Sequence, residues 1–218
     1  MTAKLPPTAS VATPAADGKL VAPAAARNVA PLTTLLQGVA PSTGKALELA
    51  SGTGQHVVAF AAALPGLMWQ PTEIAADRRA SINAYREEAQ LPNLATARDL
   101  NACASGWADC VPPQDLILCI NLLHLVSEPD AHTLVEEAAR ALAPNGLLLI
   151  YGPFKRDGHL TSEGDARFDA QLRDADPAIG YKDAGDIRHW LGETGLMTQP
   201  PHPMPANNLA LMARKAVA

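Results

Sequence analysis

Three acidic residues, Glu48, Glu73 and Asp99, stand at the ends of successive apolar runs, about one βα unit apart. Glu48 belongs to Lys45–Ala50 (KALELA), just ahead of Ser51-Gly52-Thr53-Gly54-Gln55-His56. Glycines at a strand end turn the chain tightly and let a ligand approach the backbone. The helical composition of Gly54–Leu64 then sets a helix N-terminus, with its free N–H groups, beside the turn. Glu73 ends the second run, Met68–Glu73, where a carboxylate can accept from both hydroxyls of a ribose. Asp99, with Leu100 after it, follows the weaker run Leu94–Arg98 and is placed to accept from an adenine amine. Read without a ligand, Glu73 is a solvated strand-end carboxylate and Asp99 a turn cap.

The loop is not a dinucleotide fingerprint. That pattern is G-x-G-x-x-G, and its third position is Val57 here. An acid at Glu48 would also sit against a pyrophosphate, whereas it suits the ammonium of a methionine moiety. Alone, the three acids fit any ligand that contains adenosine. The backbone and side chains of Ala50, Ser51, Gly52, Gly54 and His56 complete the candidate cradle, and Arg27-Asn28 are placed to close over it. The ring of His56 has a plainer reading, as a cap on the helix.

A second group of residues follows the fourth and fifth apolar runs. Asn121 and His124 come after Asp115–Asn121 (DLILCIN), and Tyr151 ends Gly146–Tyr151 (GLLLIY). An imidazole with its ordinary pKa is a competent base at neutral pH, so His124 is the candidate general base. Tyr151 can shape a pocket or donate a hydrogen bond. His159, Thr161 and Ser162 lie in a long polar stretch, Gly152–Tyr181, which reads as a lid loop. For both His124 and Tyr151, a structural packing role is the alternative. No residue group has metal-ligand spacing, and Cys103, Cys110 and Cys119 read as reduced thiols.

The elements that must position these groups alternate. Leu32, Leu35 and Leu36 predict a short helix before the first strand; Asp77–Gln90, Pro129–Leu142 and Asp183–Thr194 predict later ones. Continuous apolar strands alternating with helices predict a parallel sheet covered on both faces. Leu196–Gln199 and Asn208–Ala213 are joined by a proline-rich loop too short for a crossover helix, so they should pair as an antiparallel hairpin. The prediction is an α/β, Rossmann-like, mostly parallel seven-stranded sheet with an antiparallel C-terminal hairpin, the arrangement of class I methyltransferases. Residues 1–26, rich in Ala and Pro, read as a flexible arm, with partial ordering by docking over the domain as the alternative, and residues 27–218 as the domain.

The run LELASGTGQHVVAFAAALPGLMWQPTE resembles a family of bacterial and animal methyltransferase-like proteins classed as a domain of unknown function. Further matches are Arg27-Asn28 with Pro31-Leu32, Ile120–His124, LLIYGPFKR (148–156), Thr161-Ser162, Phe168–Ala170 and Met204–Leu209. The resemblance covers nearly all of the chain from residue 27, and the combination SGTGQH, YGPF and MPANN is specific. It implies S-adenosyl-L-methionine as cofactor and leaves the acceptor open. The chain departs from the family in having Thr72-Glu73 and Ala75 where a Ser-Asp pair and a further acid are usual, and Gly164-Asp165 where Ser-Asn is usual.

The expectation is therefore an S-adenosylmethionine-dependent methyltransferase acting on a small molecule through a sulfur, oxygen or nitrogen nucleophile. Its rivals are a non-catalytic protein that keeps the fold and the cofactor, and a nicotinamide oxidoreductase, against which the missing third glycine argues. A net charge of −5, with no Lys/Arg run longer than two, points away from nucleic acid. No apolar run has the roughly 18 residues of a membrane span. A cytoplasmic monomer or homodimer is expected.

Overall fold

The structure is a computed structural model describing residues 5–217. A small hairpin, β1 (Thr13–Pro14) and β2 (Leu20–Val21), precedes α1 (Pro23–Val39). Alternation then begins: β3 (Gly44–Leu49), α2 (Gln55–Ala63), β4 (Leu67–Pro71), α3 (Ala76–Ala89), β5 (Gln114–Ile120), α4 (Glu128–Ala141) and β6 (Leu142–Pro153). Two more helices, α5 (Glu163–Ala175) and α6 (Ala184–Glu193), lead to β7 (Met197–Thr198), β8 (His202–Pro203) and β9 (Asn208–Arg214).

β3 to β6 are parallel, in the order β4-β3-β5-β6. β9 enters antiparallel beside β6, and both β7 and β8 pair antiparallel with β9. The sheet is thus mixed, with seven strands. The predicted pairing of the last two segments is present, but β9 is not a peripheral strand. It lies between β6 and β7, and Leu209–Ala213 are buried. The third predicted strand differs too. Residues 94–98 make only isolated parallel bridges to the β4 edge, Trp69 with Leu94 and Thr72 with Arg98. Thr96 and Arg98 are exposed, so little apolar burial holds that segment to the sheet.

Leu32, Phe60, Trp69 and Ile82 fill one face of the sheet, between it and α1–α3. Leu134, Ala138, Ile187 and Leu191 fill the other, under α4 and α6. Strands buried on both faces have to be continuous apolar runs, which is why they were legible.

Two expectations change. α1 starts at Pro23, so the expected boundary at residues 26 and 27 falls inside a helix. Proline is tolerated at a helix's first turn, and the alanines after it are strong helix formers. Residues 1–4 of the expected arm lie outside the described residues. The stretch 152–181 is not one long loop, because α5 occupies its middle. Ser162 caps that helix, its Oγ accepting from Asp165 N at 3.1 Å, and Asp169 and Leu172 are its buried positions.

Candidate active site

A cavity of about 1220 Å³ opens at the C-terminal ends of β3, β4 and β5. Ligands bind there in open α/β sheets, because strand order reverses and the loops diverge. Its lining contains Arg27, Asn28, Glu48, Ala50, Ser51 and Gly52. His56, Glu73, Leu100, Asn121 and His124 also line it, so most of the predicted residues do converge.

Glu48 ends β3 at 1% exposure, and its Oε2 has no hydrogen-bond partner among the described residues. Burial pushes its carboxyl up to about 8, with a smaller contribution from the charge of Glu73. A buried carboxyl without a donor is costly, and a cationic group in the cavity would relieve that cost.

Glu73 is tied differently. Its Oε2 accepts from Gly52 N at 3.0 Å, and its Oε1 from Ile74 N at 2.9 Å and Ala75 N at 3.1 Å. Each carboxylate oxygen has two lone pairs, so Oε2 keeps room for one hydroxyl donor. The loop itself depends on positive φ at Ala50 (50°), Gly52 (59°) and Gly54 (96°). Gly54 has no substitute, because a Cβ there would lie 2.8 Å from Ile82 Cα on α3. His56, on the first turn of α2, stacks on Phe60 at 5.6 Å, and its Nε2 is buried without a partner. Burial lowers its pKa to about 4, so the ring is neutral.

Four predicted residues do not line the cavity: Gly54, which shapes the loop behind it, and Asp99, His159 and Tyr151. The Asp99 side chain is 68% exposed and pairs with Arg79 at 3.1 Å, while its neighbours Leu100 and Asn101 line the site instead. His159 is exposed, in a tight turn with backbone bonds to Arg156. Tyr151 is buried behind the cavity among Leu149, Ala210 and Met212, and burial raises its phenol to about 12. It packs on the sheet face beneath α1, in one cluster with Leu32 and Leu36.

His124 lines the cavity but is not the base its type suggested. It is almost wholly buried against Phe168 and Tyr181, both ring centroids 5.9 Å away. Desolvation, helped by the positive charge of Lys182, lowers its pKa to about 3. At neutral pH the ring is neutral, and so low a pKa makes it a weak proton acceptor.

Sequence reasoning missed a further wall. Leu5, Pro6 and Thr8–Val11, taken for a loose arm, line the cavity. Arg78 holds Ser10 through its carbonyl and hydroxyl oxygens, both at 2.8 Å, and Thr8 donates to Gln171 on α5 at 2.9 Å. Leu20 N donates to Ser81 Oγ, which donates to Thr53 O, both at 2.8 Å. Asp165, Phe168, Tyr181 and Asn208 line the other end. The Ser162–Asp165 capping pair was a legible sign of α5, whereas nothing local indicated what residues 5–11 would cover.

Solved structures share this fold. An O-methyltransferase family protein from Burkholderia thailandensis superposes with a TM-score of 0.74 at 16% identity, covering 86% of this chain and 56% of its own. An O-methyltransferase family 2 protein from Planctomyces limnophilus, in complex with apigenin, gives 0.69 at 20%, with coverage of 85% and 61%. Human N-acetylserotonin methyltransferase, in complex with SAM, gives 0.67 at 14%, with coverage of 84% and 51%. The chain therefore spans little more than half the length of these proteins. In sequence, the pattern of one family matches residues 19–215, nearly the whole chain, and the protein belongs to that family, described as "Protein of unknown function (DUF938)".

Proposed function

We propose that the protein is a methyltransferase that uses S-adenosyl-L-methionine and methylates a small-molecule acceptor. The observation that carries this reading is the buried Glu48 carboxyl in the cavity, whose Oε2 has no partner among the described residues, beside a glycine loop and a helix N-terminus. Those groups fit an amino acid: the carboxyl takes its ammonium, and the first N–H groups of α2 take its carboxylate. Glu73 would hold a ribose hydroxyl through Oε2, and Leu100 and Ala102 offer an apolar surface to the adenine. The cofactor supplies an electrophilic methyl group on a sulfonium.

What the chain's own residues contribute is enclosure and orientation. Holding two reactants in line can supply much of such a rate. Arg27, Asn28 and residues 5–11 cover the cavity from the N-terminal side and keep water from it. Isothermal titration with S-adenosylhomocysteine tests the reading. Micromolar affinity, about −8 kcal/mol, is expected. A folded protein that gives no heat refutes it.

A further inference from the structure

Beyond Asn121 the lining of the cavity changes character. The rings of His124, Phe168 and Tyr181 meet edge to face, with centroids 5.9, 5.9 and 6.2 Å apart, and Leu125 packs beside them. His124 is 7% exposed, and among the described residues neither ring nitrogen has a hydrogen-bond partner. Its one open direction is the cavity.

Two carboxylates open on the same wall. Asp165 is oriented by four donors: Ser162 Oγ at 2.7 Å, Thr161 Oγ1 at 2.8 Å, Asn207 Nδ2 at 3.3 Å and Tyr181 OH at 3.2 Å. Asp130 on α4 accepts from Ser127 Oγ at 2.8 Å through Oδ2 only. Lys182 lies behind this wall, near enough to interact with Asp130 and His124, but it donates to Val126 O at 2.7 Å and Gly180 O at 2.9 Å and does not line the cavity. The arginines that reach the cavity are elsewhere, Arg27 on α1 and Arg78 at the glycine loop.

We propose that this end of the cavity binds an amine carried on an aromatic or other apolar body. Asp130 and Asp165 hold the N–H groups, His124 accepts one more, and the three rings cover the body. The chemistry excludes the neighbouring classes. A carboxylate or phosphate would face two like charges in the lining, with Lys182 behind it and already bonded to backbone carbonyls, and a cation over aromatic rings and carboxylates gains from both. An alcohol could bond to His124 but would forgo the charge pairing. Neutral His124 fits the same choice, since a ring nitrogen can accept an N–H of the ammonium; methyl transfer to that amine requires the ammonium first to give up a proton to solvent or to one of the two carboxylates. Naming this amine as the methyl acceptor rests on the proposed function; the binding preference does not.

The test is binding, measured at pH 7.5 with and without saturating S-adenosylhomocysteine. The probes are 2-phenylethylamine, 2-phenylethanol and 3-phenylpropanoate, of similar size and differing in charge. The amine should bind at least about tenfold more tightly than the alcohol, and the acid not measurably. Asp130→Asn should bring amine and alcohol within about threefold of each other, and Phe168→Ala should weaken amine binding about tenfold. Both variants should keep the wild-type affinity for S-adenosylhomocysteine, which shows that they fold. Equal or tighter binding of the alcohol or the acid overturns the proposal, as does failure of all three probes on a protein that binds S-adenosylhomocysteine. If S-adenosylhomocysteine does not bind, the cofactor reading fails instead, and the ranking of the three probes still decides this one.

Discussion

The Gly52 amide donates to Glu73 Oε2 at 3.0 Å, so the loop after β3 and the carboxylate after β4 form one unit. Glu73 therefore shapes the empty site as well as offering a lone pair to a ligand. Glu73→Ala should weaken S-adenosylhomocysteine binding at least about tenfold and also lower stability. Three backbone N–H groups lose a charged acceptor, which costs on the order of 2 kcal/mol and lowers Tm by roughly 4–8 °C for a chain of this length. An unchanged Tm would mean that the loop holds itself.

Glu48 makes ligand binding and stability depend on pH in a way opposite to most carboxylates. Its folded pKa is raised by burial to about 8, from the ordinary value of 4.5. The folded state then keeps a proton that the unfolded state releases, so this group's contribution to stability falls as pH rises from about 4.5 to about 8. Glu48→Gln should remove that slope and be more stable than wild type at pH 8. A bound ammonium favours the carboxylate, so binding at pH 7 should release about one proton. Calorimetry in buffers of different ionisation heat measures this number; a value near zero would show that Glu48 is already charged.

Histidines act at the acid side. The folded pKa values of His56 (about 4) and His124 (about 3) lie below the ordinary value of 6.5, both chiefly through desolvation. The unfolded state takes up protons first, so stability should fall as pH drops from about 6.5 toward 4. NMR titration of the imidazole protons should show no inflection for His124 between pH 5 and 8. An inflection near pH 6.5 would restore it as a base.

Residues 5–22 touch the site without contributing a core. Ala9 is their one buried residue, while Ser10, Leu20 and Ala22 are hydrogen-bonded to α3 and α2. Deleting residues 1–20 should leave Tm almost unchanged and raise the dissociation rate of S-adenosylhomocysteine about tenfold or more. Identical rates would show that this segment does not retain the ligand.

Gly54 separates a steric demand from a functional one. Gly54→Ala places a Cβ at a φ of 96° and 2.8 Å from Ile82 Cα, so it should cost about 2–4 kcal/mol. Gly52→Ala meets its nearest neighbour, Arg78 Nη1, at 3.5 Å and should be milder in Tm. Equal melting temperatures would place the strain in φ alone.

What the sequence determined by itself was local or periodic. Strands such as Gln114–Ile120, buried on both faces, must be apolar throughout, and Glu48-x-x-x-Gly52-x-Gly54 marks a strand, a turn and a helix start within a few residues. Hence the central sheet, the glycine loop and the convergence of Glu48, Glu73 and Asn121 could be read in advance. Only the tertiary structure decided the rest, because those properties belong to neighbours distant in sequence. The type of His124 suggests a base, but Phe168 and Tyr181, more than forty residues later, bury it and remove its charge. Tyr151 ends its apolar run, yet β6 continues to Pro153 and the Tyr151 side chain packs in the core with Leu32 and Leu36 of α1. Asp99 follows its segment as expected, but Arg79 draws it to the surface. Residues 5–11 have too few apolar side chains to announce a wall; they become one because Arg78 and Gln171 stand where the chain passes.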